Sequence, residues 1–231
     1  MYKRSIVLTV LLGLGILVSA QSMPAKPAPP QAGVNPVVEK YINDNEQKHV
    51  QELMDFVSIP CISSLPSHAA DMTKAAQWLQ TKLQSIGMDS VQVMQTDGNP
   101  VVFAQWNNAK GKPTVLLYGH YDVQPVQEAL WTSAPFTPKL ENGRIYGRGA
   151  SDDKGSALTG IWAVEAMLKK IGKLPVNVKF LFEGEEETGS AHLGAFVAAH
   201  KDLLKADAAY SADAFQKSDT QGAMIMSVKG A

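Results

Sequence analysis

The stretch YGHYDVQP at residues 118–125 places His120 and Asp122 two positions apart, directly after an apolar run. In extended backbone alternate residues face the same way, so these two side chains share a side. A carboxylate beside an imidazole fixes its tautomer, which leaves the other ring nitrogen to bind a metal or accept a proton. The pair also fits a capped turn with a hydrogen-bonded histidine, because histidine has many structural uses.

A glycine-rich stretch with two aspartates precedes a predicted helix. Residues 146–157 read YGRGASDDKGSA. Gly-x-Gly before a helix is found in phosphate-binding loops, but the dinucleotide fingerprint requires Gly or Ala three residues after its second glycine. Asp152 occupies that position here and Asp153 follows it. Two carboxylates repel phosphate at a helix start, whereas they suit a cation or simple helix capping.

An acidic stretch follows the next predicted strand. Residues 182–190 read FEGEEETGS, with glutamates at Glu183, Glu185, Glu186 and Glu187. Such a run is usually a solvated acidic face. At the carboxyl end of a buried strand it fits metal ligation together with a proton acceptor. Asp213 occupies a similar position, just past another apolar segment.

The apolar pattern predicts a framework that brings these clusters together. Helical spacing is found at residues 37–57, 69–86, 153–171 and 190–200. Apolar strand-like segments lie at residues 91–94, 101–106, 114–118, 176–182, 208–211 and 224–228. This alternation favours an α/β fold with a largely parallel central sheet flanked by helices. Sites in such sheets form at the carboxyl ends of strands, which is where the polar clusters fall.

The combined set of one histidine and several carboxylates fits Zn²⁺ or Mn²⁺. A carboxylate can bridge two such ions, and a paired site can hold a water for attack on a carbonyl. Other nucleophiles are not indicated, since the Gly-x-Ser-x-Gly elbow is absent and the one cysteine, Cys61, has an apolar setting. A formal net charge of -1 without a basic-aromatic stripe excludes a nucleic-acid partner.

The first residues have the pattern of a cleavable export signal. Lys3 and Arg4 precede an apolar run at 6–18, and small residues end the pattern at Ala20. A membrane anchor is the alternative, but it needs roughly 20 apolar residues. We therefore predict a signal peptide at 1–20, a Pro-rich linker at 21–36, and a periplasmic or secreted protein without membrane attachment after cleavage.

The motifs resemble those of a known family. Gly-His-x-Asp-Val-x-Pro at 119–125 comes first, followed by Gly-Arg-Gly-x-x-Asp-x-Lys-Gly at 147–155, Glu-Gly-x-Glu-Glu-x-Gly-Ser at 183–190, and then Asp213. This order resembles the dinuclear zinc exopeptidases, which include carnosine dipeptidases, carboxypeptidase G, aminoacylase, acetylornithine deacetylase and succinyl-diaminopimelate desuccinylase. The first and third motifs look most like the carnosinase-like dipeptidase branch.

The resemblance implies a site for two divalent ions, Zn²⁺ or alternatively Mn²⁺. His120 and Asp213 would bind one ion, Glu187 would bind the other, and Asp152 would bridge the two. The family often has a cis peptide bond after the bridging aspartate, which predicts one between Asp152 and Asp153.

The resemblance also assigns two catalytic residues. Asp122 would orient His120, and Glu186 would be the general base. Aspartate at position 213 is typical of the aminopeptidase and dipeptidase members, so the predicted activity is hydrolysis of a small peptide with a free amino end. The alternatives are an N-acyl-amino-acid deacylase and a non-catalytic metal-binding relative.

Family members continue well beyond the point where this sequence stops. Residues 37–228 correspond to the N-terminal part of the catalytic domain, and 229–231 to the start of an inserted dimerisation or lid domain. The histidine that would share the second ion with Glu187 is missing, and His192 and His200 do not fit its motif. The resemblance therefore predicts an incomplete, inactive fragment of a longer enzyme that forms homodimers.

Overall fold

The computed structural model describes residues 35–211, 213, 216–218 and 221–222. The predicted signal peptide, nearly all of the predicted linker, the apolar segment at 224–228 and the last three residues lie outside these described residues. Within the described part, none of the helices combines the length and the apolar character needed to cross a membrane.

The strands form one five-stranded sheet and two small hairpins. In chain order they are β1 (Ser90–Met94), β2 (Val101–Trp106), β3 (Thr114–His120), β4 (Lys139–Glu141), β5 (Arg144–Tyr146), β6 (Asn177–Glu183), β7 (Ala208–Ser211), β8 (Gln216–Ser218) and β9 (Gln221–Gly222). The central sheet has the order β1-β2-β6-β3-β7, while β4 pairs with β5 and β8 with β9.

Four of the five strands of the central sheet run in the same direction, as the predicted largely parallel sheet requires, although two of its four pairings are antiparallel. β3 is parallel to both β6 and β7, and β2 is antiparallel to both β1 and β6. Thus β2 alone of the five strands runs against the others. Its direction follows from its connection to β1, because residues 95–100 are too few for the crossover that a parallel neighbour needs.

The helices are α1 (Pro36–Asp44), α2 (Glu46–Val57), α3 (Ala69–Ile86), α4 (Lys154–Ile171), α5 (Leu193–Ala199) and α6 (Lys201–Leu204). The prediction of one helix over 37–57 is wrong, because the helix is interrupted at Asn45. The Asn45 side chain donates to the carbonyl of Tyr41 at 2.8 Å and so competes with the helical backbone.

Both faces of the sheet are covered. On β2, Val102 and Ala104 pack in the larger apolar core with α2, α3 and α4, whereas Val101 and Phe103 pack with α5 and α6. Alternate residues of a strand point to opposite faces, so a strand buried on both sides is apolar throughout. This two-sided packing makes the carboxyl ends of β3 and β6 a fixed platform for polar side chains.

Candidate metal centre

The predicted clusters meet at the carboxyl ends of three neighbouring strands. His120 is the last residue of β3 and lies opposite Glu183, the last residue of β6, in the parallel register. Asp213 comes two residues after the end of β7. The strand-end rule therefore places the first, third and fourth clusters on one edge of the sheet.

His120 is fully buried, and its Nε2 atom is surrounded by carboxylates. The distances from Nε2 are 3.1 Å to Asp152 Oδ1, 3.9 Å to Glu186 Oε2 and 4.0 Å to Asp213 Oδ2. His120, Asp152 and Asp213 each offer a ligand atom, all within 4.8 Å of one another. Zinc–ligand distances of about 2.0–2.2 Å require such spacing, so the three side chains fit a single ion.

Asp122 is also fully buried, and it contacts both His120 and the acidic loop, residues 183–190, that follows β6. His120 Nδ1 lies 3.1 Å from the main-chain oxygen of Asp122 and 3.3 Å from its Oδ1 atom. Both neighbours are acceptors, so Nδ1 carries the hydrogen and Nε2 is directed to the carboxylates. The Asp122 carboxylate also accepts the backbone N–H groups of Glu186, at 3.2 Å, and Glu187, at 3.1 Å.

The acidic loop places its two adjacent glutamates differently. Both lie in a short 3₁₀ turn, Glu186–Thr188. The carboxylate of Glu186 faces His120, whereas Glu187 is not part of the three-residue group. Gln124, which sequence reasoning missed, donates to Glu187 Oε2 at 2.8 Å and to the Glu187 carbonyl at 3.0 Å.

The glycine-rich stretch contributes two aspartates joined by a cis peptide bond, Asp152–Asp153, which confirms the prediction. Asp153 is fully buried, and its Oδ2 atom accepts the backbone N–H of His120 at 3.1 Å. A β-carbon at Gly119 would lie 2.7 Å from that oxygen, so the close approach requires glycine. The two aspartates thus contact His120 at its ring and at its backbone. The role of Asp153 was also missed, although its position next to Asp152 was a signal.

Burial and neighbouring charges shift the pKa values of three groups at this edge of the sheet. Burial alone would lower the pKa of His120, but hydrogen bonding to Asp122 and the nearby carboxylate charges raise it to about 9. Burial raises the pKa of Asp153 to about 7. Burial also raises the pKa of Glu186, with Asp213 and Glu187 adding to the shift and His120 opposing it. The shift of His120 thus reflects its carboxylate neighbours, whereas the shifts of Asp153 and Glu186 reflect mainly their burial.

A second group of potential ligands is His49, Glu52 and Glu165. Here Lys82 Nζ lies 2.7 Å from Glu52 Oε1 and 2.6 Å from Glu165 Oε2. Lys48 also pairs with Glu165. Because lysines already neutralise both carboxylates, Glu52, Glu165, Lys48 and Lys82 form an ion-pair network between helices, and His49 lies beside it.

Comparison with known proteins gives the family of this chain. Residues 116–229 match the profile of Peptidase family M20/M25/M40. The chain carries a peptidase family M20 domain. It is 36% identical over 188 residues to the Beta-Ala-His dipeptidase of Rattus norvegicus, covering 76% of this chain and 38% of that protein. It is 33% identical over 174 residues to the cysteinylglycine-S-conjugate dipeptidase of Corynebacterium striatum, covering 74% and 38%.

The fold of the M20 domain also matches solved structures. The crystal structure of human carnosine dipeptidase 1 superposes with a TM-score of 0.71 at 33% identity, covering 76% of this chain and 40% of that chain. The predicted fold and family resemblance are therefore confirmed. The chain spans about two fifths of the length of these relatives.

Proposed function

We propose that this chain is part of a metal-dependent dipeptidase that hydrolyses small peptides with a free amino end. The observation that carries the proposal is the convergence of His120, Asp152 and Asp213 within 4.8 Å, with the Glu186 carboxylate beside them. An imidazole with several carboxylates is a donor set for Zn²⁺ or Mn²⁺. The dipeptidase relatives give the reaction class.

The proposed centre takes two ions, with zinc as the preferred metal and manganese as the alternative. His120 and Asp213 would hold the first ion and Glu187 the second, and Asp152 would contribute to both. When bound, the ions polarise the amide carbonyl and lower the pKa of water. The remaining chemistry belongs to side chains of this chain.

Glu186 is the proposed general base. It accepts a proton from the attacking water and delivers it to the leaving amine. The pKa of Glu186 is raised toward neutral pH, and a general base is most effective when its pKa lies near the working pH. Asp122 is the proposed orienting residue, since it holds the His120 ring through Nδ1 and the Glu186 backbone through an N–H hydrogen bond.

The preferred substrates are unblocked dipeptides such as β-Ala-His and Cys-Gly. Their free amine distinguishes them from the substrates of an N-acyl-amino-acid deacylase. For the whole protein we further propose export with cleavage after Ala20 and a homodimer, on the strength of the N-terminal pattern and the family resemblance. Mass spectrometry of the exported product would test the cleavage; a retained Met1 in a membrane fraction would contradict it.

The test of the proposed activity is a hydrolysis assay of the protein encoded by the whole gene. The assay contains zinc or manganese and uses unblocked and N-acetylated dipeptides as substrates. We expect turnover of the unblocked peptides. Glu186→Gln should reduce the rate by about 100- to 10,000-fold while the metal content stays near wild type. Glu187→Gln is the matched control and should lose metal. Turnover of acylated substrates alone would favour a deacylase, and metal binding without turnover would favour a non-catalytic relative.

A further inference from the structure

Glu183 is a buried carboxylate that the proposed reaction does not use. It lies at the carboxyl end of β6, and 2% of its surface is exposed. Its Oε1 atom accepts hydrogen bonds from the Tyr118 hydroxyl and, at 2.8 Å, from the Ser190 hydroxyl. We call these three residues the Glu183 network.

The Glu183 network closes the loop over residues 183–190. Gly189 and Ser190 have φ values of 92° and 53°, so the chain turns back on itself there. The Ser190 backbone N–H donates to the Glu185 carbonyl at 2.8 Å, and its hydroxyl reaches Glu183. Glycine would adopt this left-handed conformation at lower cost than serine. Serine at position 190 is therefore explained by its hydroxyl and not by its backbone.

The Glu183 network also joins this loop to the strand that carries His120. Tyr118 lies on β3, two residues before His120, and its hydroxyl binds the first residue of the loop. On the other side of the loop, the backbone N–H groups of Glu186 and Glu187 donate to Asp122. The two ends of the loop, Glu183 and Ser190, are thus hydrogen-bonded to each other, and Asp122 holds the backbone in the middle of the loop.

We propose that Tyr118, Glu183 and Ser190 are positioning residues: they fix the loop that holds the Glu186 carboxylate beside His120 and places Glu187 next to Gln124. The roles of Glu186 and Glu187 as base and ligand rest on the proposed function. The positioning itself rests on the hydrogen bonds that close the loop. It predicts that loosening the Glu183 network frees the loop without unfolding the domain.

The test uses Tyr118→Phe and Ser190→Gly, because replacing buried Glu183 itself could prevent folding. Tyr41→Phe is the matched control, since the Tyr41 hydroxyl donates to buried Glu165 at 3.1 Å in the ion-pair network. Hydrogen–deuterium exchange of residues 183–190 is measured on the full chain without metal. We expect exchange to rise about 2- to 10-fold in the two loop variants, the effect of one lost hydrogen bond, and to stay unchanged in the control.

Ser190→Gly separates positioning from general stability. It removes the hydroxyl and relieves the left-handed backbone, whereas glycine raises the entropy of the unfolded chain; the two backbone effects oppose each other, so the melting temperature should change little while loop exchange increases. If Ser190 contributed only to the stability of the domain, the variant would have a lower melting temperature as well as faster loop exchange. Loop exchange within twofold of wild type in both variants, or an increase spread evenly over the chain, would overturn the proposal.

A zinc titration of the same proteins separates this proposal from the proposed function. If both hold, Tyr118→Phe and Ser190→Gly weaken binding of the second zinc ion, the one assigned to Glu187, by about 10-fold, as is typical when partners of ligands are removed, and Tyr41→Phe does not. If wild type binds no zinc but loop exchange rises in the variants, positioning stands and the metal function fails. If zinc binds and neither exchange nor affinity changes, the metal function stands and positioning fails.

Discussion

At the scale of single residues, Asp122 connects two parts of the candidate centre. Its carboxylate accepts the backbone N–H groups of Glu186 and Glu187, and it also lies beside His120 Nδ1. The sequence predicted only the contact with the histidine. The contacts with the backbone add a second reason for a charged group at this position, because charge-assisted hydrogen bonds are stronger than neutral ones.

Asp122→Asn should therefore weaken zinc binding by about 10- to 100-fold. The amide lacks the charge, and it can accept with only one of its two ends. Asp207→Asn is the control: Asp207 Oδ2 accepts the Thr114 backbone N–H at 2.7 Å at the opposite end of β3. Calorimetric zinc titration of both variants checks the expectation. Equal zinc affinities in the two variants would show that Asp122 does not act on the site.

The site was predictable where a motif coincides with the end of a strand. His120 and Asp213 follow strands that the apolar pattern predicts, so their meeting could be expected from topology. Asp153, Glu183 and Gln124 were missed because their roles depend on how loops close in space. No spacing rule indicates that Gln124 contacts Glu187 or that Asp153 accepts the His120 backbone N–H.

At the scale of helices and strands, an element could be predicted where the sequence near it carries a clear signal. Helix α3 was predicted with its observed bounds, and Gly87 ends it with a φ of 96°. The β4–β5 hairpin was missed although Asn142 and Gly143 at its turn both have positive φ. Asn-Gly is the strongest hairpin signal, but the flanking strands are too short for a periodic pattern to be recognised. Packing between helices was not predictable, since it depends on side chains distant in sequence.

One such contact is the buried pairing of Glu165 on α4 with Lys48 on α2 and Lys82 on α3. Burial alone would raise the pKa of Glu165, but hydrogen bonds and charges from the two lysines lower it from 4.5 to about 2. A depressed pKa contributes stability above the unfolded value that is lost as pH falls toward the folded one. By linkage this shift corresponds to about 3 kcal/mol.

We expect the free energy of unfolding to fall by that contribution between about pH 5 and pH 2, beyond the loss from other groups. Glu165→Gln should be less stable by about 3 kcal/mol at pH 7. Its difference from wild type should shrink as the pH is lowered through the same range. Urea unfolding of both proteins at several pH values provides the measurement. A difference that stays constant with pH would contradict the assigned role of Glu165.

At the scale of the whole molecule, the sheet brings residues far apart in sequence to one edge. His120, Asp152 and Asp213 belong to separate segments, and only the parallel alignment of β3 with β6 and β7 unites that edge. The proposed function therefore requires a folded domain in which His120, Asp152 and Asp213 bind a cation together.

The most direct test is a zinc titration of the purified chain, by calorimetry and elemental analysis, with His120→Gln and His49→Gln as a matched pair. His49 stacks on Trp162 and lies beside the ion-pair network, where lysines neutralise the carboxylates. His120→Gln should weaken binding of the first zinc ion by more than about 100-fold, because a direct ligand contributes more than its supporting partners. His49→Gln should leave that affinity unchanged. Zinc binding that survives His120→Gln but is lost in His49→Gln, or no zinc bound by the folded wild-type chain, would contradict the account.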